Sequence, residues 1–395
     1  MNIASKVSNT SYLTTTEREA RGDLFCMVTG EKGYTRQGRI LPSSYSMKKT
    51  LIKQHAPTAI DLFSGCGGLS LGLKQAGFQV ACAVEIDPKA QETYRLNHED
   101  VRLLPSDIRK VRVRTLMREL GIKAGQLDLL AGCPPCQGFS RIRTRNKSSS
   151  DADARNDLIF EFLRFVRGFR PKTVMLENVP ALKDDPRFEI FWGEMQRLGY
   201  HGQPEIQDAA KFGVPQRRKR LIYLAVRGRY PLPELDTTAE LKTVQDTIGT
   251  LGPAGTSGDP IHDIPENREP KTLALIRAIP HDGGSRMDLP EQFRLACHET
   301  TDGFRDVYGR MSWGEPAPTI TGGCHNPSKG RFLHPVHDRA ITLREAALLQ
   351  GFPESYRFNA EHGKEAIALM IGNALPPPFI SAHATALIKS IRKHK

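Results

Sequence analysis

From Thr58 onward the chain alternates short apolar runs with longer segments whose apolar residues return every three or four positions, and glycine or proline stands at many of the joints. "TAIDLF" (58–63) has the length and continuity of a buried strand, and the "LSLGLKQAG" that follows has helical spacing and a closing Gly77. "QVACAVEID" (79–87) predicts a second strand, and "PKAQETYRLNH" (88–98) a helix with proline at its first position. "LDLLAG" (127–132) and "TVMLENV" (173–179) predict further strands, separated by the amphipathic "DLIFEFLRFVRGF" (157–169). "FEIFWGEMQRLGY" (188–200) predicts a helix and "RLIYLAV" (220–226) a late strand. Strands alternating with helices predict an α/β fold built on a doubly wound, mainly parallel sheet.

That rhythm stops near Arg227, where the chain turns rich in Pro, Gly and charge, as in "GTLGPAGTSGDPIHDIPENREP" (249–270). Helical spacing returns in "TLREAALLQ" (342–350) and "PPFISAHATALIKSI" (377–391). The predicted organisation is a polar, partly ordered extension over 1–55, with Thr14-x-x-Glu17 as a capping box. An α/β domain over 56–229 follows, then a smaller loop-rich domain over 230–335 and C-terminal helices over 336–395.

Composition narrows the class. The 395 residues are 39% hydrophobic and 25% charged, a soluble globular balance. No apolar run approaches the ~20 residues of a membrane span, and the N-terminus lacks a secretory h-region, so a cytoplasmic protein without a membrane partner is expected. The net charge of +12 favours a polyanionic partner, most simply nucleic acid. Basic residues concentrate in "SRIRTRNK" (140–147) and "QRRKR" (216–220). Seven irregularly spaced cysteines do not make a disulfide framework. No second Cys-x-x-Cys exists, and the adjacent pairs Cys297-His298 and Cys324-His325 have the wrong reach for a zinc site, so no metal is expected.

Two stretches carry the chemistry. "DLFSGCGGLSLG" (61–72) joins a strand to a helix, where a nucleotide fingerprint belongs. Serine stands at position 70, where a dinucleotide fingerprint needs glycine, and the turn instead has Gly65, Gly67 and Gly68. Glu85 ends the next strand, where a carboxylate can grip ribose hydroxyls. Asp107 can accept from an adenine amino group while Ile108 covers the ring, although a lone Asp after a strand is usually a turn residue. These features suit S-adenosylmethionine better than NAD. The second stretch, "GCPPCQGFS" (132–140), holds a Cys-x-x-Cys that reads as half a zinc site, a redox pair, or one nucleophile beside a bystander.

Taken in order, "DLFSGCGGLSLG", "VEID", "SDI", "PPCQGFS", "LENV", "VPQRRKRLIYLA", "APTIT" and "GNALPPPF" resemble the motif series of the cytosine-C5 DNA methyltransferases, from Thr58 to the C-terminus. The resemblance implies a class I methyltransferase fold, S-adenosyl-L-methionine as methyl donor, and double-stranded DNA as substrate. It implies Cys136 as the nucleophile, Glu177 as the acid that holds the base, and Gln216, Arg218 and Arg220 as the Gln-x-Arg-x-Arg motif, with Arg218 and Arg220 catalytic and Gln216 on DNA. Cys133 is then the bystander, packed as a small apolar residue. Phe63, Gly65, Gly67, Gly68, Glu85, Ile86, Asp107, Ile108, Pro135, Asn373 and Ala374 are the implied cofactor pocket. The chemistry needs these residue types. A thiolate added to C6 breaks the aromaticity of cytosine and makes C5 enamine-like, able to take a methyl from a sulfonium.

C6 is inaccessible in a stacked duplex, so the base must be flipped out. Arg141, Arg143, Arg145 and Lys147 are expected to meet phosphates from a polar lid after the nucleophile. The 230–335 region is expected to read base edges, with "DGGSR" (282–286) and "TGGCHNPSKGR" (321–331) as groove loops. The chain departs from the commoner family pattern at Ile86, where an aromatic often covers the adenosine, and in the residues before the first motif. The expected role is the modification enzyme of a restriction–modification system, a monomer sharing its site with a cognate restriction endonuclease. Three alternatives stand beside it: a tRNA cytosine-5 methyltransferase, an inert nucleic-acid-binding relative, and an NAD oxidoreductase, which Ser70 disfavours.

Overall fold

In the computed structural model, which describes residues 56–135, 157–289, 293 and 306–393, the apolar runs of the first half form one sheet. In chain order the elements are β1 (Thr58–Leu62), α1 (Gly68–Ala76), β2 (Gln79–Glu85), α2 (Pro88–Asn97), β3 (Arg102–Pro105), α3 (Val113–Leu120), β4 (Leu129–Gly132) and α4 (Leu158–Phe169). Then come β5 (Thr173–Asn178), α5 (Pro186–Arg197), β6 (Tyr200–His201), β7 (Pro204–Asp208) and β8 (Lys219–Arg227). The sheet order is β3-β2-β1-β4-β5-β8-β6, with β7 also on β8. The pairs among β1 to β5 are all parallel, while β8 runs antiparallel to β5, β6 and β7.

Both faces of the sheet are covered, which is why β1 and β5 are buried at every position and read as continuous apolar runs. Ile60 and Leu62 join a cluster with α3, α4 and α5 on one side. Ala59 joins Leu69 and Leu73 of α1 and a late helix, α10 (described below), on the other. Local signals set the helix ends. α2 starts where the Asp87 carboxylate accepts from the backbone N–H of Lys89 and Ala90, and α1 stops at left-handed Gly77.

After Arg227 come α6 (Val244–Ile248), α7 (Pro270–Ala278), α8 (Leu343–Leu349), α9 (Lys364–Asn373) and α10 (Pro377–Arg392). One apolar cluster unites Val244, Ile261, Met311 and Ile320 with α8, with Ile367 and Ile371 of α9, and with Cys66 of the glycine turn. A smaller cluster of Leu275, Ile276, Ile279, Leu289 and Leu333 lies where regular structure is sparse. There a fully buried Arg310 supplies the missing donors. Its guanidinium binds the carbonyls of Ile276 (3.0 Å), Ile279 (3.1 Å), His334 (3.1 Å) and His337 (2.6 Å) and pairs with Asp338 (2.6 Å).

α10 returns to the first helix of the fold. A Cβ placed on Gly72 of α1 would stand 2.6 Å from the Cβ of Ile380 and from the carbonyl oxygen of Pro377, so the two helices touch backbone to side chain. The elements β6, β7, α3, α6, α7 and α9 go beyond those the periodicity predicts. The segment with Thr14 and Glu17 lies outside the described residues. Among the described residues no helix is long and apolar enough to cross a membrane.

Candidate active site

At the carboxyl ends of the parallel strands a cavity of about 690 Å³ opens. It is lined by Phe63, Gly65, Gly68, Glu85, Ile86, Asp107, Ile108, Pro135, Asn373 and Ala374 of the expected cofactor set, and by Glu177, Arg218 and Arg220. Gly67 lies behind this wall. The turn after β1 is folded against ordinary backbone preference, with positive φ at Phe63 (63°), Gly65 (55°) and Gly67 (101°).

Glu85 anchors that turn. Its carboxylate accepts from the backbone N–H of Gly65 (2.7 Å) at Oε2 and of Ile86 (2.9 Å) and Asp87 (2.8 Å) at Oε1, which leaves one lone pair, on Oε2. Burial raises its pKa, and the backbone donors pull it down. Ile86 is 61% exposed beside it, an apolar surface presented at the rim. A carboxylate for a diol and an apolar rim for a flat ring fit the nucleoside end of S-adenosylmethionine. Asp107 also lines the cavity, beside Arg109. Its carboxylate accepts from Arg109 Nε (3.0 Å) and Nη2 (2.6 Å), which lowers its pKa, and from the Arg109 backbone N–H (3.0 Å).

Ser70 explains the departure from the dinucleotide fingerprint. Its hydroxyl donates to the fully buried Asp61 (2.6 Å) and lies 2.7 Å from the Tyr94 hydroxyl, so position 70 is a polar core contact beneath the turn. Burial pushes the Asp61 pKa up to about 8.

The second half of the cavity is built on β5 and β8. Glu177 is the last residue but one of β5, and its carboxylate pairs with Arg220 Nε of β8 at 3.0 Å. Burial raises the Glu177 pKa, while Arg220 and Arg218 oppose the rise. Cys133 is half-buried against the α1 side of the sheet, as expected of a small apolar residue. The next residue, Asn178, donates to the Pro134 carbonyl (2.9 Å) and so ties the Cys-x-x-Cys segment to β5.

Gln216, Arg218 and Arg220 occupy alternate positions of one extended segment yet do three different things. Arg218 is buried, and its Nη atoms donate to the carbonyls of Ile320 (2.9 Å), Gly372 (2.9 Å) and Ala374 (3.4 Å). Its hydrogen bonds therefore go to the walls of the cavity, as those of a positioning residue would. The expectation that Gln216 meets DNA does not fit its place. Gln216 is fully buried, donates to the Leu349 carbonyl (2.9 Å) and Gln350 Oε1 (2.5 Å), and accepts from Ile320 N–H (3.0 Å). Both amide donors are taken, and the side chain is closed off from solvent. Gln350 in turn donates to the Ala374 carbonyl, a contact invisible in the motif pattern.

Cys136, Arg141, Arg143, Arg145 and Lys147 lie outside the described residues. The two expected groove loops are braced to each other: Arg331 Nη1 donates to the carbonyls of Gly283 (2.8 Å), Gly284 (3.2 Å) and Arg310 (2.8 Å).

Comparison with known proteins gives concordant matches. The C-5 cytosine-specific DNA methylase family matches residues 58–389. The type II methylase M.HgiDII of Herpetosiphon aurantiacus is 34% identical over 348 residues, 85% of this chain and 94% of its own length. The type II methyltransferase M1.HphI of Haemophilus parahaemolyticus is 34% identical over 353 residues, 87% of this chain and 90% of its own. Among solved structures, one described as a prophage-encoded DNA modification methyltransferase (E. coli) superposes with a TM-score of 0.62 at 24% identity, over 85% of this chain and all of that one, a likeness of fold.

Proposed function

The chain belongs to the C-5 cytosine-specific DNA methylase family, and from that premise we propose how its cavity carries out the reaction. The protein is a DNA (cytosine-5)-methyltransferase of the class I, Rossmann-like fold. The observation that carries the proposal is the buried Glu177–Arg220 pair opening into the same cavity as the glycine turn.

Phe63, Gly65, Glu85, Ile86 and Ile108 would hold the nucleoside end of S-adenosylmethionine, and Asn373 and Ala374 its methionine end. When bound, this group supplies an electrophilic methyl on a sulfonium. Cys136 follows Pro135 of the cavity wall in sequence, and its thiolate adds to C6 of a flipped-out cytosine. The electron pair displaced from the C5–C6 bond makes C5 nucleophilic. Burial favours the protonated form of Glu177, which donates to N3, and Arg220 orients Glu177 and contacts the base carbonyl. Loss of the C5 proton to solvent then expels the Cys136 sulfur as thiolate, N3 returns its proton to Glu177, and the aromatic ring is restored. Arg218 and Gln216 hold the walls between base and cofactor in register. Arg141, Arg143, Arg145 and Lys147 bind phosphates, and the 230–335 domain reads the target sequence. The enzyme serves as the modifying partner of a restriction endonuclease specific for the same site.

The test is bisulfite sequencing of plasmid DNA from cells expressing the wild type, Cys136→Ser or Cys133→Ser. Protected cytosines in one sequence context are expected with the wild type and Cys133→Ser, and none with Cys136→Ser. Unprotected DNA from the wild type, or protection surviving in Cys136→Ser, would sink the reading.

A further inference from the structure

Two residues that lie outside the cavity grip the glycine turn from behind. The Tyr356 hydroxyl donates to the carbonyl of Cys66 at 2.5 Å. His98 Nε2 lies 3.1 Å from the carbonyl of Gly67 and 3.1 Å from the Tyr356 hydroxyl. His98 and Tyr356 are 2% and 3% exposed, and they come from distant places, the end of α2 and the segment between α8 and α9. The fit is tight enough to exclude a side chain on the turn, since a Cβ on Gly67 would stand 2.5 Å from His98 Nε2 and 2.6 Å from the Tyr356 hydroxyl.

The protons in this cluster are determined by its partners. The Tyr356 hydroxyl has one proton and gives it to Cys66, so towards His98 it accepts. The carbonyl of Gly67 can only accept. Nε2 of His98 therefore carries the proton and shares it between the two, which leaves Nδ1 bare, and Nδ1 indeed has no partner. Burial and the nearby Lys74 push the His98 pKa down to about 4, consistent with a neutral ring.

We propose that His98 and Tyr356 are positioning residues for methyl-donor binding: they hold the carbonyls of Cys66 and Gly67 so that the glycine turn is already in its binding shape before the cofactor arrives. This rests on the reading that the cavity takes S-adenosylmethionine. A turn with glycine at 65, 67 and 68 has wide conformational freedom, and ordering it during binding costs affinity. Fixing two successive carbonyls from the rear removes that cost without touching the ligand. The ring of Tyr356 has its own support, 4.6 Å from Phe352 and 5.4 Å from Phe358 between ring centres, so removing only the hydroxyl leaves its packing in place.

The experiment is calorimetric titration of the full chain with S-adenosylmethionine for the wild type, Tyr356→Phe, His98→Leu and His98→Gln, beside steady-state methylation and cofactor-free urea denaturation. Tyr356→Phe is expected to weaken binding about tenfold, the scale of one lost hydrogen bond, and to raise KM for the cofactor with kcat at saturation little changed. His98→Leu should behave alike, and His98→Gln, whose amide keeps an N–H near the Nε2 position, should restore binding. If His98→Leu fails to fold, Tyr356→Phe with a wild-type denaturation midpoint decides the matter. Wild-type binding matched by both Tyr356→Phe and His98→Leu, or His98→Gln as weak as His98→Leu, overturns the inference alone. A wild-type chain that binds no S-adenosylmethionine overturns the reading of the cavity and this inference with it.

Discussion

Burial lifts the pKa of Glu177 above the ordinary carboxylate range, and Arg220, Arg218 and Cys133 limit the rise. An acid that must reach N3 protonated is active below its raised pKa and loses activity as pH climbs through it. Glu177→Gln, which can hydrogen-bond N3 but cannot transfer a proton, should lower kcat by about 10²- to 10⁴-fold and remove the high-pH limb of the rate profile. Asp61 gives a stability signature of the same sign. Its pKa rises from 3.8 to about 8 on folding, so its contribution is full below the lower value and is lost as pH rises through the upper one. The wild type should therefore lose up to about 1.4 kcal/mol per pH unit from this group across that window, and Asp61→Asn should flatten the slope in urea titrations. Glu177 and Arg220 were legible in the sequence because "LENV" and "VPQRRKRLIYLA" match motifs of the family the chain resembles. Gln216 was not, because a pattern of polar residues cannot say which carbonyls they will find once distant segments fold back.

Continuous apolar runs between helices announced β1, β2, β4 and β5, because strands covered on both faces need no polar alternation. The edge escaped the same reasoning. β7 reads "PEIQD" and is largely open to solvent, and β6 has two residues, so neither carries a burial signal. α6 is held by its Thr243–Asp246 capping box within five residues, too short for periodicity to show. The packing of α1 on α10 supplies a test at this scale. Gly72→Ala must push α10 away from α1, and a loss of about 1–3 kcal/mol in urea denaturation is expected. Because α10 continues from the Asn373–Ala374 wall, the same variant should bind S-adenosylmethionine more weakly; an unchanged denaturation midpoint would show that the helices tolerate separation.

Across the whole molecule the +12 charge pointed to a polyanion before any motif did. Charge says nothing of register, and the division between holding DNA and reading it needs its own measurement. Arg143→Ala and Arg145→Ala should each reduce the slope of log affinity against log salt by about 0.9 and leave the methylated sequence unchanged. An altered target motif with an intact slope would move the reading function into that segment. The loop-rich region was the least legible part, since its order comes from individual side chains such as Arg310 and Arg331, each of which binds carbonyls from separate loops.

The contact of Tyr356 with Cys66 spans 290 positions, and α1 is packed by a helix more than 300 residues later in the numbering. During synthesis the glycine turn leaves the ribosome long before either partner exists. A nascent chain therefore carries the glycine turn in an unbraced form until Tyr356 and α10 have been made, and folding of this part waits on that long loop closure. A chain interrupted before α10 therefore has its glycine turn without either brace, and the cavity behind it takes shape only once α10 has packed on α1.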